Sequence, residues 1–429
     1  MASGRGRARL YKADDGFALP AFRGNPEDLF VEGGDIDVGG QNLLIDGMSY
    51  GSIGFGEAEA PLLFHMRFGR HRVGPFWRNG VVIGPQAPAA GSAEVLLQQP
   101  FFRVHLAVFE LSATNDQGSG PLGTNKRLFY HSLEMYPLPW LDIGIFESVM
   151  SGGRFEVLYL LPASLFMSQG MSSFSDNSLL GGQLRARPWQ GLELKALVYA
   201  DDLDFNNMVR LNLDTKYKLS AQLGVSLAPA VTLGVDWLES LRLITFDYTA
   251  VMPYMYTHIN SPGGFYNYEN YSHVGENFGP ALEPNSDRWE LRAMWRPAFD
   301  VRGRFIDVET RAAYVRHGNA SAGIVPGGDG SLFDSGWLEG VPTFQPPFED
   351  PTGQPATRFL TQPVLETTLQ LGVTARFELF TGTSFEPTVA EQRTWRRGFG
   401  GLSLLTGVDW QWEQNSSFNE GTDERRLFS

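Results

Sequence analysis

The stretch "YTHINSPGGFYNYENYSHVGENFGP", Tyr256 to Pro280, gathers Tyr256, His258, Phe265, Tyr266, Tyr268, Tyr271 and His273 with Asn267, Glu269, Asn270, Glu276 and Asn277. Flat aromatic faces stack on the C–H faces of sugar rings, while carboxylates and amides meet the hydroxyls and fix orientation. On that chemistry the expected glycan-binding residues are Tyr256, His258, Tyr266, Tyr268, Tyr271, His273 and Glu276. The same rings could instead pack the loop against itself or mark a membrane interface, where Tyr is enriched. A second cluster, "YADDLDFNN", brings Asp201, Asp202 and Asp204 together. Calcium wants several oxygen ligands, but the glycine and distal bidentate glutamate of a calcium loop are missing. Asp201 and Asp202 therefore read as a solvated acidic rim that could also hold hydroxyls, and no metal is expected.

Nothing couples a nucleophile to a base by spacing. His65 and His71 in "HMRFGRH" lie too far apart to act as a local metal pair, and "GSIGF" lacks the strand-then-helix context of a phosphate loop. The expectation is a protein that is not an enzyme and needs no cofactor. Lys and Arg number 34 against 48 Asp and Glu, giving a net charge of -14. Phosphate backbones need a basic surface, so nucleic acid is excluded as a partner. Cysteine is absent, which removes disulfide frameworks and thiolate metal sites.

The elements that must carry these groups show a period of two. In "RWELRAMWRPAFDVRGRF", Trp289, Leu291, Ala293 and Trp295 oppose Arg288, Glu290, Arg292 and Arg296; after Pro297, Phe299, Val301, Gly303 and Phe305 oppose Asp300, Arg302 and Arg304. A strand with that pattern has one wholly apolar and one strongly charged face. "LETTLQLGVTARFELF", "LSLLTGVDWQWEQ", "GLELKALVYADD" and "FFRVHLAVFE" alternate likewise. Some connections are short and carry proline, at Tyr136 to Trp140, Arg187 to Gly191 and Arg296 to Asp300. Others are long and polar, at Ser148 to Asn177, Asp201 to Tyr217, Thr257 to Pro284 and Gly318 to Pro363.

Alternating strands with short turns on one side and long loops on the other predict an all-β fold, a large antiparallel transmembrane β-barrel of about 16–18 strands. A large soluble sandwich, jelly roll or propeller is the competing architecture. Charge facing lipid costs roughly 2–4 kcal/mol for Arg or Lys at the midplane. Arg185, Arg187, Glu193, Arg288, Glu290, Arg292, Arg302 and Arg304 are therefore expected to face the lumen, where they could close the pore with ion pairs or line a channel. No apolar run reaches 18 residues, and no apolar core follows the basic start "MASGRGRARLYKADDG". One domain is expected over 1–429, with 1–60 as polar N-terminal strands or a lead-in and a last strand from about 425 that is incomplete. Between Tyr217 and Tyr256 the turn could fall at Pro229 or at Leu238 to Ser240; Pro297 as a short-side turn favours the latter.

The block from His131 to Asp202, with "HSLEMYPLPWLDIGIFES", "YLLPASLF" and "DNSLLGGQLRARPWQGLELKALVYADD", resembles the Wzi family of outer-membrane capsule-assembly proteins. The matching elements are Pro139 and Trp140, Asp142 with Gly144 and Glu147, Asn177, Pro188, and Asp201 with Asp202. A weaker echo runs through "DYTAVMPYMYTH", "NYENYSHVGENFGP" and "PNSDRWEL". The resemblance implies a barrel at the cell surface, in the outer membrane of a diderm bacterium, that holds capsular or exopolysaccharide in a lectin-like way. The family's periplasmic helical bundle has no clear counterpart here. The expected partners are outer-membrane lipid and a cell-surface polysaccharide, bound by a monomer. The alternative function is a porin-like channel for sugars or other small solutes.

Overall fold

The computed structural model describes residues 2–12, 31–37, 41–55, 62–76, 79–160, 176–202, 218–258, 264–297, 306–318, 332, 359–360, 363–380, 402–416 and 420–428. The chain is all-β. Its first strands are β1 (Ala2–Lys12), β2 (Val31–Asp37), β3 (Gln41–Phe55), β4 (Leu62–Gly69), β5 (Ala90–Gln98) and β6 (Phe102–Ala113). Then come β7 (Gly123–Leu138), β8 (Leu141–Gly152), β9 (Asn177–Trp189), β10 (Leu192–Asp202), β11 (Lys218–Leu227) and β12 (Leu241–Val251). A two-stranded ribbon of β13 (Ser272–His273) and β14 (Glu276–Asn277) precedes β15 (Ser286–Trp295), β16 (Ile306–Gly318), β17 (Leu365–Phe380), β18 (Leu402–Gln414) and β19 (Asp423–Phe428).

All but the ribbon join one 17-stranded sheet. From β3 to β12 and on through β15 to β19, each strand pairs antiparallel with its neighbour in sequence. β3 also carries β1 and β2. Among the described residues no ladder joins β19 to β1 or β2, so the expected closed barrel is seen as a sheet with two ends. The region 1–60, left unplaced by its polar sequence, supplies β1 to β3 of this sheet.

The connections sort by side. At one end of the strands lie the described connections 99–101, 139–140, 190–191, 228–240 and 296–297; at the other lie 70–76, 79–89, 114–122, 153–160, 252–258 and 264–285. The question over Pro229 is resolved by a connector that uses both stretches. Pro229 opens the five-residue helix α1 (Pro229–Leu233), where its missing N–H costs no hydrogen bond, and Gly234 closes it at φ 65. A 3-10 turn at Asp236–Leu238 then leads into β12. The aromatic loop 252–285 thus stays with the long loops. Of the segment expected to continue the Pro297 hairpin, residues 298–305 lie outside the described residues, including Arg302 and Arg304.

The sheet curls around its own loops. Segment 70–89 meets β6 through His71, whose ring packs edge-on against Phe109 at 4.8 Å. It meets β11 through a 3.3 Å bond from the Val81 N–H to Gln222 Oε1, and β15 through Arg288, which donates to Asn79. β7 to β12 lie between β6 and β15 in the sheet, so strands far apart in order converge on one segment. Val81, Val82 and Ile83 are wholly buried there with Phe76, Phe109, Tyr199, Tyr256, Tyr271 and Phe278. This interior core sits at the long-loop end.

Further along the strands the polarity inverts relative to a water-soluble sheet. Leu223, Val225, Phe246, Trp289, Leu291, Leu371, Val373 and Val408 are exposed, whereas Lys195, Gln222, Asp247, Arg288, Glu290, Arg292, Gln370 and Gln411 are buried. The period-two alternation is the direct cause, because neighbours along a strand point to opposite faces. The charges on the covered face are paired. Glu290 accepts from both Arg288 and Arg292, Arg292 reaches Glu309 at 2.6 Å, Arg311 reaches Asp409 at 2.5 Å, and Lys195 lies 3.7 Å from Asp247. Nearer the short-connection end, Arg187 bonds Asp142 at 2.6 Å and Glu193 at 3.2 Å, with Arg185 3.8 Å from each.

The two interior loops touch through backbone. A Cβ on Gly84 would stand 2.0 Å from the Gly279 carbonyl oxygen, a contact no side-chain rotation relieves. Gly84→Ala is expected to force loops 70–89 and 252–285 apart. Limited proteolysis should cut those loops faster than in the parent while the amides of β15 to β17 keep their exchange protection.

Candidate functional site

The aromatic loop is built in three layers, and they divide the expected binding residues. In the deepest, the Tyr256 hydroxyl donates to the Val81 carbonyl at 2.8 Å and lies 2.9 Å from Ser220 Oγ. The Tyr271 hydroxyl donates to Val82 O at 2.8 Å. His273 accepts the Ser112 N–H on Nδ1 at 2.9 Å and sits with Nε2 2.9 Å from Ala89 O. Buried backbone carbonyls require donors, and these three side chains supply them to segment 70–89. Tyr256 and Tyr271 have no exposed surface and His273 very little. The expected stacking by Tyr256 and Tyr271 is thus replaced by packing: both rings are used up within the interior core.

The middle layer is a polar latch. His258 Nδ1 lies 2.8 Å from Glu269 Oε2, and the His258 N–H donates to Asn270 Oδ1 at 2.6 Å. Lys126 on β7 donates to the Asn270 carbonyl at 2.6 Å and Ser272 Oγ at 3.2 Å. Lys218 on β11 donates to the Thr257 carbonyl at 3.0 Å and faces Asp201 at 3.8 Å. Asn177 on β9 donates to Glu269 O at 3.0 Å, and Asn267 accepts the N–H groups of Glu269 and Asn270, each at 2.9 Å. Three strands therefore hold one loop. Asp201, read from sequence as a solvated rim carboxylate, is buried in this network, its charge balanced by Lys218; the side chain of Asp202 lies outside the described residues.

The outer layer faces water. Phe265 and Glu276 are exposed, and Tyr266 and Tyr268 are half-buried. The rings form a short ladder: Phe265 meets Tyr266 edge-on at 5.0 Å, and Tyr266 lies 6.1 Å from Tyr268 at a tilt of 50°. Glycine makes their seats. A Cβ at Gly123, the first residue of β7, would come within 2.6 Å of the Tyr266 ring, and one at Gly152, the last of β8, within 2.2 Å of Tyr268. Each ring lies on bare backbone and keeps part of its surface exposed. Asn267 Nδ2 donates to Asp116 at 2.7 Å beside them, and the exposed Phe155 carries Arg127 at 5.4 Å from its centroid. Among the described residues no group of three or more metal-ligating side chains gathers.

Sequence reasoning named Tyr266, Tyr268 and Glu276 as binding candidates from the aromatic run, and the structure places them with Phe265 in the loop's outer layer. Sequence reasoning missed Gly123 and Gly152, which carry no signal of their own, and Lys126, whose role depends on a loop over a hundred residues away. The run "GVVIG" within 70–89 was the available sign of an interior segment, since an apolar triplet between glycines fits neither a strand nor a solvated loop.

No family model matches the sequence, and no curated protein matches it. A solved structure of Wzi, described as an outer-membrane protein involved in group 1 capsule assembly in Escherichia coli and as a carbohydrate-binding β-barrel, is similar to this chain. The likeness has a TM-score of 0.45 and 8% identity, and covers 100% of this chain and 80% of that one.

The latch responds to pH through His258. Burial opposes its charged form, but the hydrogen bond to Glu269 and the charges of Asp201 and Glu269 outweigh burial and the opposing charge of Lys218, so its pKa is raised above 6.5. A raised folded-state pKa contributes stability that is complete below the unfolded value and lost as pH rises through the folded one. Burial holds the pKa of His273 below its ordinary value, with the Lys126 charge adding to it, so His273 titrates on the acid side of His258. Exchange protection of 264–272, corrected for intrinsic rates, should fall as pH rises from about 6 to 8. His258→Gln should flatten that dependence, and parallel curves for parent and variant would assign it elsewhere.

Proposed function

We propose that the chain is an outer-membrane β-barrel of a diderm bacterium that holds a cell-surface polysaccharide at its long-loop end, without catalysis. The inverted polarity of the sheet supports the membrane reading. Contiguous exposed apolar surface on a water-soluble monomer rarely exceeds a few hundred Å², whereas here it recurs from β4 to β18. Lipid offers no hydrogen bonds to a sheet edge, so a spanning sheet must close. Closure between β19 and the β1 to β3 region belongs to this proposal.

The polysaccharide reading is carried by the ladder of Phe265, Tyr266 and Tyr268. Tyr266 and Tyr268, seated on glycine backbone and partly exposed, with Phe265 exposed beside them, are preorganised: little side-chain freedom remains to be lost on stacking sugars. Glu276 is exposed in the same loop, and the Asn267–Asp116 pair ties that loop to connection 114–122; both offer groups of the kind that meet hydroxyls. The residue order resembling the Wzi family in the sequence is consistent with the same use. One observation favours the channel alternative: the charge-lined, half-exposed mouth formed by Arg185, Arg187, Asp142 and Glu193 at the short-connection end. Against it, the opposite end is filled by loops 70–89 and 252–285.

An array of bacterial surface glycans presented to the full chain in nanodiscs is the direct test. Tyr266→Ala and Tyr268→Ala should each weaken binding about 5-fold, on the order of 1 kcal/mol for one stacked ring. Unchanged affinity in both would remove the ladder from the site. In a planar bilayer the protein should give no steady conductance; open conductance together with an empty array would favour the channel.

A further inference from the structure

At the short-connection end the connector 228–240 presents an apolar surface that nothing in the chain covers among the described residues. Val231 and Leu233 on α1 and Trp237 in the 3-10 turn are all exposed, Trp237 to 80%. The connector is not a dangling loop. The Ala228 N–H donates to Gly191 O at 2.7 Å, and Thr232 Oγ1 donates to Gln190 O at 3.2 Å, which ties it to the β9–β10 turn. On its other side the Arg296 N–H donates to Ser240 O at 2.7 Å. Gly191, at φ 78, lets the connector lie close, since a Cβ there would meet Thr232 Oγ1 at 2.5 Å. The segment is therefore fixed along the rim with its apolar side chains outward, while its charges, Asp236 and Glu239, and Arg242 at the start of β12 are exposed beside them.

Tryptophans mark the same level on neighbouring strand ends. Trp140 stands in the β7–β8 turn, Trp189 at the end of β9, and Trp295 at the end of β15, and all three are exposed, Trp189 to 67%. The exposed face of β11 and β12, with Leu223, Val225 and Phe246, runs into the connector without a break in sequence. Indole is favoured at the headgroup level because it has an apolar body and one N–H donor. A short segment with apolar side chains beside charged ones lies in the interface plane.

We propose that connector 228–240 is an interfacial anchor, lying in the headgroup layer of the leaflet at the short-connection end and fixing the depth of the sheet in the bilayer. The inference rests on the membrane reading above and adds which segment sets the depth. Its occupant is phospholipid: the patch continues the lipid-facing belt, and the connector's outward charges match a headgroup layer better than a protein interface core, from which charge is depleted.

The chain has no cysteine, so one introduced thiol takes a spin label cleanly. Labels at Trp237→Cys, Val231→Cys, Leu223→Cys and Ser119→Cys in liposomes would be compared by collision with oxygen and with a nickel chelate. The Leu223 label should read as deep in lipid and the Ser119 label as water-exposed. The Trp237 and Val231 labels should lie between them, with an oxygen-to-nickel ratio several-fold above that at Ser119. A ratio at both connector positions equal to Ser119 would place the connector in water and overturn the proposal. Shielding from both reagents would point to a protein partner and overturn it too. A water-like Leu223 label would sink the membrane reading itself, a distinct outcome.

Discussion

Glu290 sits between Arg288 and Arg292 on the covered face of β15, and both guanidiniums donate to it. Taking three such charges out of water is costly, and the cost is offset only when every charge is paired and hydrogen-bonded. That requirement constrains the surrounding strands. β16 supplies Glu309 to Arg292, β18 supplies Asp409 to Arg311, and segment 70–89 supplies Asn79 to Arg288. With the charges committed inward, strict alternation leaves Trp289, Leu291 and Trp295 outward. An apolar exterior of that extent has a natural solvent in lipid, where removing inward charge would not help and adding outward charge would be penalised.

The interior is filled differently at its two ends, and the difference positions the candidate site. At the long-loop end a chain of rings runs from Tyr130 through Phe146, Tyr199, Tyr256 and Tyr271 to Phe278 and Phe109, each within 6.4 Å of the next. The Tyr256 and Tyr271 hydroxyls satisfy the carbonyls of Val81 and Val82, and the Tyr199 hydroxyl bonds Ser148. Above that core Lys126, Lys218 and Asn177 hold the loop from three strands, with His258 paired to Glu269 inside it, and only then do Phe265, Tyr266 and Tyr268 emerge. The outer rings are ordered because the deeper ones are buried; a loop held only at its ends would spread such rings over many rotamers.

The strands were legible in the sequence because alternation is a local property. β15, β17 and β18 follow the pattern read from "RWELRAMW", "LETTLQLGVTARFELF" and "LSLLTGVDWQWEQ", and the short turns fall at Pro139 and at Gln190–Gly191. What could not be read was long-range. A run of tyrosines looks the same whether the rings bind sugar or pack a core; Tyr256 and Tyr271 proved to pack, while Tyr266 and Tyr268 stay partly exposed. The distinction depends on segment 70–89, whose carbonyls capture the first pair, and on Gly123 and Gly152, which seat the second. Asp201 was misjudged as solvated because its balancing charge, Lys218, lies beyond a long connection. Pro229 was ambiguous because a helix of five residues is too short to leave a periodic trace.

Lipid contact by one face of the sheet is the claim on which the functional reading stands. A carbene-generating phospholipid photolabel in proteoliposomes, mapped by mass spectrometry, measures it residue by residue. Adducts are expected at Leu223, Val225, Leu291, Val373 and Val408, and none at Gln222, Lys195, Glu290 or Gln370. Adducts at the second set, or an unlabelled chain that stays monodisperse in buffer without detergent, would contradict it.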